Sequence, residues 1–170
     1  MPAISRMLKH ARILLVLPLL VSGLVVTTQF VAPPEADAAS AYTKKVVKRK
    51  IADGYRIARK QVGDPYRAGG NGPSSFDCSG LVQYSFKKAG FNVPRTSDQQ
   101  AKYARKISKR WMRPGDLVFF HNGGDVYHVG IYTGKVDGKV VVLHSPRSGQ
   151  DVKREKVWTS SWFPGTLRAS

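Results

Sequence analysis

The sequence predicts an α+β domain, with helices in the first half and an antiparallel sheet in the second. Three observations predict it. Apolar residues recur at helical spacing between Ala41 and Val62. The second half carries short runs rich in Val, Ile, Phe and Tyr, and glycine turns separate those runs.

The first helix is expected over Ala41 to Val62, where Val47, Ile51, Tyr55, Ala58 and Val62 make one face and Lys and Arg the other. Gly63-Asp64-Pro65 ends it. A glycine-rich loop, Tyr66 to Pro73, leads into a second helix that starts around Asp77 or Cys78. Ser75 or Asp77 is its expected cap, Leu81, Val82, Tyr84 and Phe86 face inward, and Gly90 closes it. A short third helix is expected from Ser97 to Ala104, with Ser97 and Gln100 at capping-box spacing. The strands are Leu117 to Phe120, Val129 to Tyr132 and Val140 to Leu143, with turns at Asn122 to Asp125, Gly134 and Asp137-Gly138. Val152 to Trp158 alternates in part, and Trp162 to Leu167 is placed to close the sheet.

Before these elements lies a segment of a different kind. Met1 to Arg12 carries Arg6, Lys9 and Arg12 and no acidic residue, an apolar run follows from Ile13 to Val31, and Ala36-Asp37-Ala38 puts small residues at the −3 and −1 positions of a signal-peptidase cut. This order predicts a secretory signal over residues 1–38, removed from an exported domain at 39–170. No cysteine lies near the cut, so a lipidated N-terminus is not expected. No internal repeat or Ser/Gly linker divides the remainder.

The whole chain has 28 Lys+Arg, 11 Asp+Glu and a formal charge of +17. Loss of Arg6, Lys9, Arg12, Glu35 and Asp37 with the leader leaves +16 on the exported domain. Such a field attracts polyanions. The basic residues are dispersed apart from the Lys44 to Lys50 run, and no aromatic interleaving makes a nucleic-acid platform. The export signal instead favours anionic cell-wall polymers of the teichoic type, anionic glycans or phospholipid surfaces as partners of the basic surface. Nucleic acid and stable membrane insertion are not expected, and the domain is read as a monomer.

An exported domain that used disulfides would carry cysteines in even number, yet Cys78 stands alone. At the start of a helix its sulfur meets free backbone amides and the positive end of the helix dipole, which favour thiolate over thiol. Gly80 is expected to leave room there for a substrate backbone. A thiol nucleophile needs a base, and the base needs a group to orient it. His128 opens one predicted strand and His144 closes the next, so a hairpin joining those strands brings the two imidazoles side by side. His128 is then the candidate base and His144 its partner. His121 is expected at an exposed strand end. One Cys and three His could in principle supply four zinc ligands, but none lie at the close spacings of structural zinc motifs. No metal or cofactor is expected.

The motifs that accumulate along the chain are Gly63-Asp64-Pro65-Tyr66 with Gly69-Gly70, Phe76-Asp77-Cys78-Ser79-Gly80-Leu81-Val82, Pro94-Arg95-Thr96-Ser97 with Gln100, Arg113-Pro114-Gly115-Asp116-Leu117-Val118-Phe119-Phe120, His128-Val129-Gly130-Ile131-Tyr132 and Leu143-His144. In this order and composition the chain resembles the NlpC family of papain-like cell-wall cysteine peptidases, from about Lys44 to Leu167. The resemblance implies a papain-like fold with Cys78 as nucleophile, His128 as general base and His144 as the group orienting it. It also implies that Tyr66 lines the cleft and that Asp77 and Ser79 grip the substrate. The implied reaction is hydrolysis of peptidoglycan stem peptides, commonly between γ-linked D-glutamate and diaminopimelate or lysine. An acyltransferase on the same scaffold, and a purely cationic wall-binding protein, are the alternative readings. The spacing between the two histidines is slightly longer than the family's, and Val136 to Lys139 is expected to enlarge the turn between them.

Overall fold

The computed structural model describes residues 34–168. The apolar run at 13–31 lies outside the described residues, and with it most of the expected secretory signal. Among the described residues no helix is long and apolar enough to cross a membrane.

Helix α1 spans Pro34–Arg59, starting seven residues before the expected point and stopping three short of Val62. The early start has a physical reason. Proline suits the first turn of a helix, where its missing N–H would have no partner, and Glu35 and Asp37 lie near the positive end of the dipole. The helix thus runs through Ala36-Asp37-Ala38. Helix α2 spans Cys78–Lys88 and helix α3 spans Ser97–Tyr103. The capping box of α3 lies one residue before the expected one: Thr96 is the cap and Gln99 the reciprocal partner. Gln100 is buried instead, and its amide donates to the carbonyls of Ser79 and Pro94 at 2.8 and 2.9 Å.

Six strands follow, the first two residues long: β1 Arg105–Lys106, β2 Leu117–Asn122, β3 Asp125–Val136, β4 Lys139–His144, β5 Lys153–Lys156 and β6 Trp162–Thr166. They form one antiparallel sheet in the order β1-β6-β2-β3-β4-β5. The fold is α+β and papain-like, as the sequence predicts. Strand alternation explains the unbroken apolar run of β2. Leu117 and Phe119 join the core beneath the helices with Ile51, Leu81, Phe86 and Ile131, while Val118 and Phe120 face the other way and pack with Tyr132 and Val142. Both faces of the sheet's centre are therefore covered.

The expected enlarged turn between β3 and β4 is absent. Asp137 and Gly138 alone make the hairpin turn, both at positive φ (51° and 72°), the two-residue geometry that matches strand twist. The extra length goes into longer strands and an irregularity between Tyr132 and Gly134. A rigid ribbon, not a loop, therefore joins the two histidines.

Candidate active site

Cys78 is the first residue of α2, and the residue before it holds the helix start in place. Asp77 is the N-cap, and its Oδ1 accepts the Gly80 amide at 2.7 Å. The same carboxylate accepts the Gly69 amide at 3.1 Å and the Ser79 hydroxyl at 3.2 Å. Arg95 closes a two-pronged pair with it, Nη1 to Oδ1 at 3.0 Å and Nη2 to Oδ2, and Nη1 also donates to Ser79 Oγ at 3.0 Å. Burial alone would raise the Asp77 carboxyl, but the Arg95 and Gly80 hydrogen bonds and the Arg95 charge outweigh it and hold it below the usual carboxylate range. Asp77 and Ser79 thus flank the thiol as parts of a closed ionic cluster.

Gly80 serves a different end from the one expected. A Cβ there would overlap the carbonyl oxygen of Gly70, so the space is filled by the chain's own glycine-rich loop and not left for substrate. That loop is tied to α2 by the Asp77 amide donating to Gly70 O at 2.8 Å. Tyr66 lies partly buried on the same side, in a parallel bridge with Phe76, two residues before the thiol.

The hairpin brings the imidazoles together as expected. His128 Nε2 lies 2.8 Å from His144 Nδ1, both rings are buried, and they meet edge to face. His144 Nε2 lies in turn 3.1 Å from Glu155 Oε2 on β5, where Glu155 pairs with Val142 and so shares the face of His144. A carboxylate only accepts, so His144 carries its proton on Nε2 and presents a lone pair at Nδ1. That lone pair accepts the Nε2–H of His128, which leaves His128 Nδ1 as the basic nitrogen. Trp158 stacks on His144 and Phe120 and packs beside His128, shielding both rings.

The two halves are fastened next to the reacting groups. Ser145, immediately after His144, donates its buried hydroxyl to Phe76 O at 2.7 Å. The Val129 amide, one residue from His128, hydrogen-bonds the Cys78 sulfur and favours its thiolate. Even so, the expected easy thiolate is not found in the free protein. Burial pushes the Cys78 thiol up, more than the Val129 and Ser79 amides pull it down, and the Asp77 charge adds to the rise. Burial, followed by the charge of His144, pushes His128 down to about 3. Burial thus favours the uncharged form of each group. His121 packs toward Phe163 and joins neither hydrogen-bond chain. Glu155, Arg95, Trp158 and Ser145 are site residues that sequence reasoning missed. For Arg95 a signal existed, since it belongs to the Pro94 to Ser97 motif.

These shifts set an acid dependence. Burial also lowers His144, so both imidazoles bind protons less readily in the folded than in the unfolded chain. Their contribution to stability is complete above 6.5 and is lost as pH falls, for His128 toward about 3. The thermal midpoint is expected to fall several degrees further between about pH 7 and about pH 4 in the wild type than in His128→Gln. Equal falls would mean that burial does not hold this imidazole neutral.

Residues 63–170 match the NlpC/P60 family. The chain belongs to that family. Among the NlpC/P60 relatives, the probable endopeptidase p60 of Listeria monocytogenes serovar 1/2a is 44% identical over 107 residues, which cover 62% of this chain and 20% of that protein. The bifunctional muramidase/DL-endopeptidase CwlT of Bacillus subtilis is 51% identical over 81 residues, covering 45% of this chain and 25% of CwlT. The chain thus spans about a fifth to a quarter of the length of these relatives. The crystal structure of the NlpC/p60 domain of the peptidoglycan hydrolase SagA superposes with a TM-score of 0.61 at 32% identity, covering 69% of this chain and 98% of that one.

Proposed function

We propose that this NlpC/P60 domain is an exported cysteine endopeptidase that hydrolyses peptidoglycan stem peptides, at the bond between γ-linked D-glutamate and a diamino acid. The observation that carries the reading is the hydrogen-bonded relay Glu155–His144–His128, which ends one residue from Val129, whose amide hydrogen-bonds the sulfur of the helix-start Cys78. That p60 is a probable endopeptidase, CwlT a muramidase/DL-endopeptidase and SagA a peptidoglycan hydrolase supports the reaction and substrate class.

Each residue has a role in a balanced cycle. Binding of substrate excludes water, and His128 Nδ1 takes the thiol proton as sulfur attacks the scissile carbonyl. The Cys78 amide, which as the first of the helix has no carbonyl partner within it, is placed to hold the developing oxyanion. His144 Nδ1 accepts from the imidazolium, and Glu155 offsets its charge at one remove. The intermediate collapses, the carbon–nitrogen bond breaks, and Nδ1–H protonates the leaving amine. A water then attacks the thioester while Nδ1 takes its proton, and that proton returns to the departing sulfur.

Incubation with purified muropeptides, read by mass spectrometry, tests this. Stem fragments ending in a free γ-D-glutamyl carboxyl are expected. Amide-linked adducts of added amines would indicate acyl transfer, and unchanged muropeptides would leave only the cationic binding reading.

Retention on the wall is expected to be electrostatic. The exported domain, at +16, should co-sediment with intact walls at low salt and be released as salt rises, since the screening length shrinks from about 10 Å at 0.1 M to about 3 Å at 1 M. Walls stripped of anionic polymers should hold little at any salt. Hydrolysis of a short soluble stem peptide should change much less across the series. Salt-insensitive binding, or binding that survives stripping, would make the charge a solubility feature alone.

A further inference from the structure

The imidazole that protonates a leaving amine must face the leaving group, so on the proposed mechanism the substrate's amine-side residue lies beside His128. A cavity opens there, about 430 Å³ in volume, with both imidazoles, Tyr127, Trp158, Arg147 and Gln150 in its wall. Cys78, Asp77 and Arg95 are not part of it. Its size suits one amino-acid residue, and its charged groups differ in their commitments. Glu155 is engaged by His144 and by Lys153 at 3.4 Å. Arg147 makes no ion pair among the described residues.

Arg147 is nevertheless held in place by its backbone. Its carbonyl accepts the Gln150 amide at 3.2 Å in a turn completed by Gly149 at φ 76°, and Gln150 O accepts the Tyr66 amide at 2.9 Å. Asp64 and Val152 extend this stitching at 2.8 Å. The turn begins two residues after Ser145, which is itself pinned to Phe76. A guanidinium on such a turn, without a carboxylate of its own, offers paired N–H donors to an incoming carboxylate.

We propose that this cavity is the leaving-group subsite and that Arg147 makes it select a diamino acid whose side chain ends in a free carboxylate. The inference rests on the hydrolase reading above and deepens it by naming the amine-side residue. Lysine lacks the carboxylate, and an amidated diaminopimelate keeps the shape but loses the charge. Both should be poorer substrates.

The test uses three soluble stem peptides that differ only at this residue: diaminopimelate, its side-chain amide, and lysine. The full chain is expected to favour the first over the other two by roughly 10- to 100-fold in kcat/KM, the scale of one hydrogen bond to a charged group. Arg147→Gln should bring the three values to within about threefold of one another. Arg154→Gln removes the same charge from the exposed, opposite face of β5 and should keep the preference. A preference retained in Arg147→Gln, or none in the wild type, overturns the proposal while hydrolysis itself stands. Binding of the three amine-side product peptides to Cys78→Ala, followed by calorimetry, separates the two readings. If no peptide is cleaved but the diaminopimelate product binds best and Arg147→Gln erases the difference, the subsite stands and the hydrolase reading falls.

Discussion

Cys78→Ala is expected to abolish release of stem-peptide fragments, by a factor of at least about 10⁴, while the protein folds and still sediments with walls. Cys78 is the single cysteine of the chain and its sulfur is held by the Val129 amide beside His128, so no second thiol can replace it. The substitution removes one atom from a site that packs against the core without anchoring it, and it touches none of the hydrogen bonds of Asp77, Arg95 or Ser145. The thermal midpoint should therefore move by only a few degrees. Muropeptide release, wall co-sedimentation and thermal unfolding would be measured on the same two preparations. Equal release by mutant and wild type would remove the catalytic assignment. Loss of folding in the mutant would instead give the thiol a packing role.

His128→Ala is expected to be more damaging than any change at His144. General acid–base catalysis contributes on the order of 10² to 10⁴ in rate, and on the proposed mechanism His128 Nδ1 is the group that moves the proton. His144 only has to accept the Nε2–H of His128 while its own Nε2–H satisfies Glu155. A carboxamide offers both an acceptor and a donor, so His144→Gln should lie within about tenfold of wild type. His144→Ala leaves a buried gap and an unpaired imidazole N–H, and should fall between the two. Single-turnover rates across pH give the readout. If His144→Ala abolishes turnover and His128→Ala is tolerated, the order of the relay is reversed.

What could be read from the residues was whatever depended on local pattern. The helix start at Cys78 followed from Asp77 as a cap, and the meeting of His128 with His144 followed from two strands joined by Asp137-Gly138. Glu155 was out of reach because its facing depends on the register of β5 against β4, which its four residues do not reveal. Arg95 and Ser145 act across 18 and 69 residues of chain, so no periodicity marks them. The cap of α3 fell one residue early because Thr96 and Ser97 are both good caps and only the fold chooses between them. The thiolate expectation failed for a related reason. The dipole argument is local, whereas the burial that opposes it comes from the whole sheet.

The hydrogen bond from Ser145 to Phe76 joins positions 69 apart in sequence, and the bond from the Val129 amide to the Cys78 sulfur also spans the two halves of the domain. Half of an NlpC/P60 chain is thus chemically silent, since a nascent, extended or partly degraded chain holds a cysteine without its base. On the proposed mechanism, hydrolytic competence requires both halves to be folded together. On the proposed reading, incompleteness of the fold is itself a safety catch for the unfolded chain.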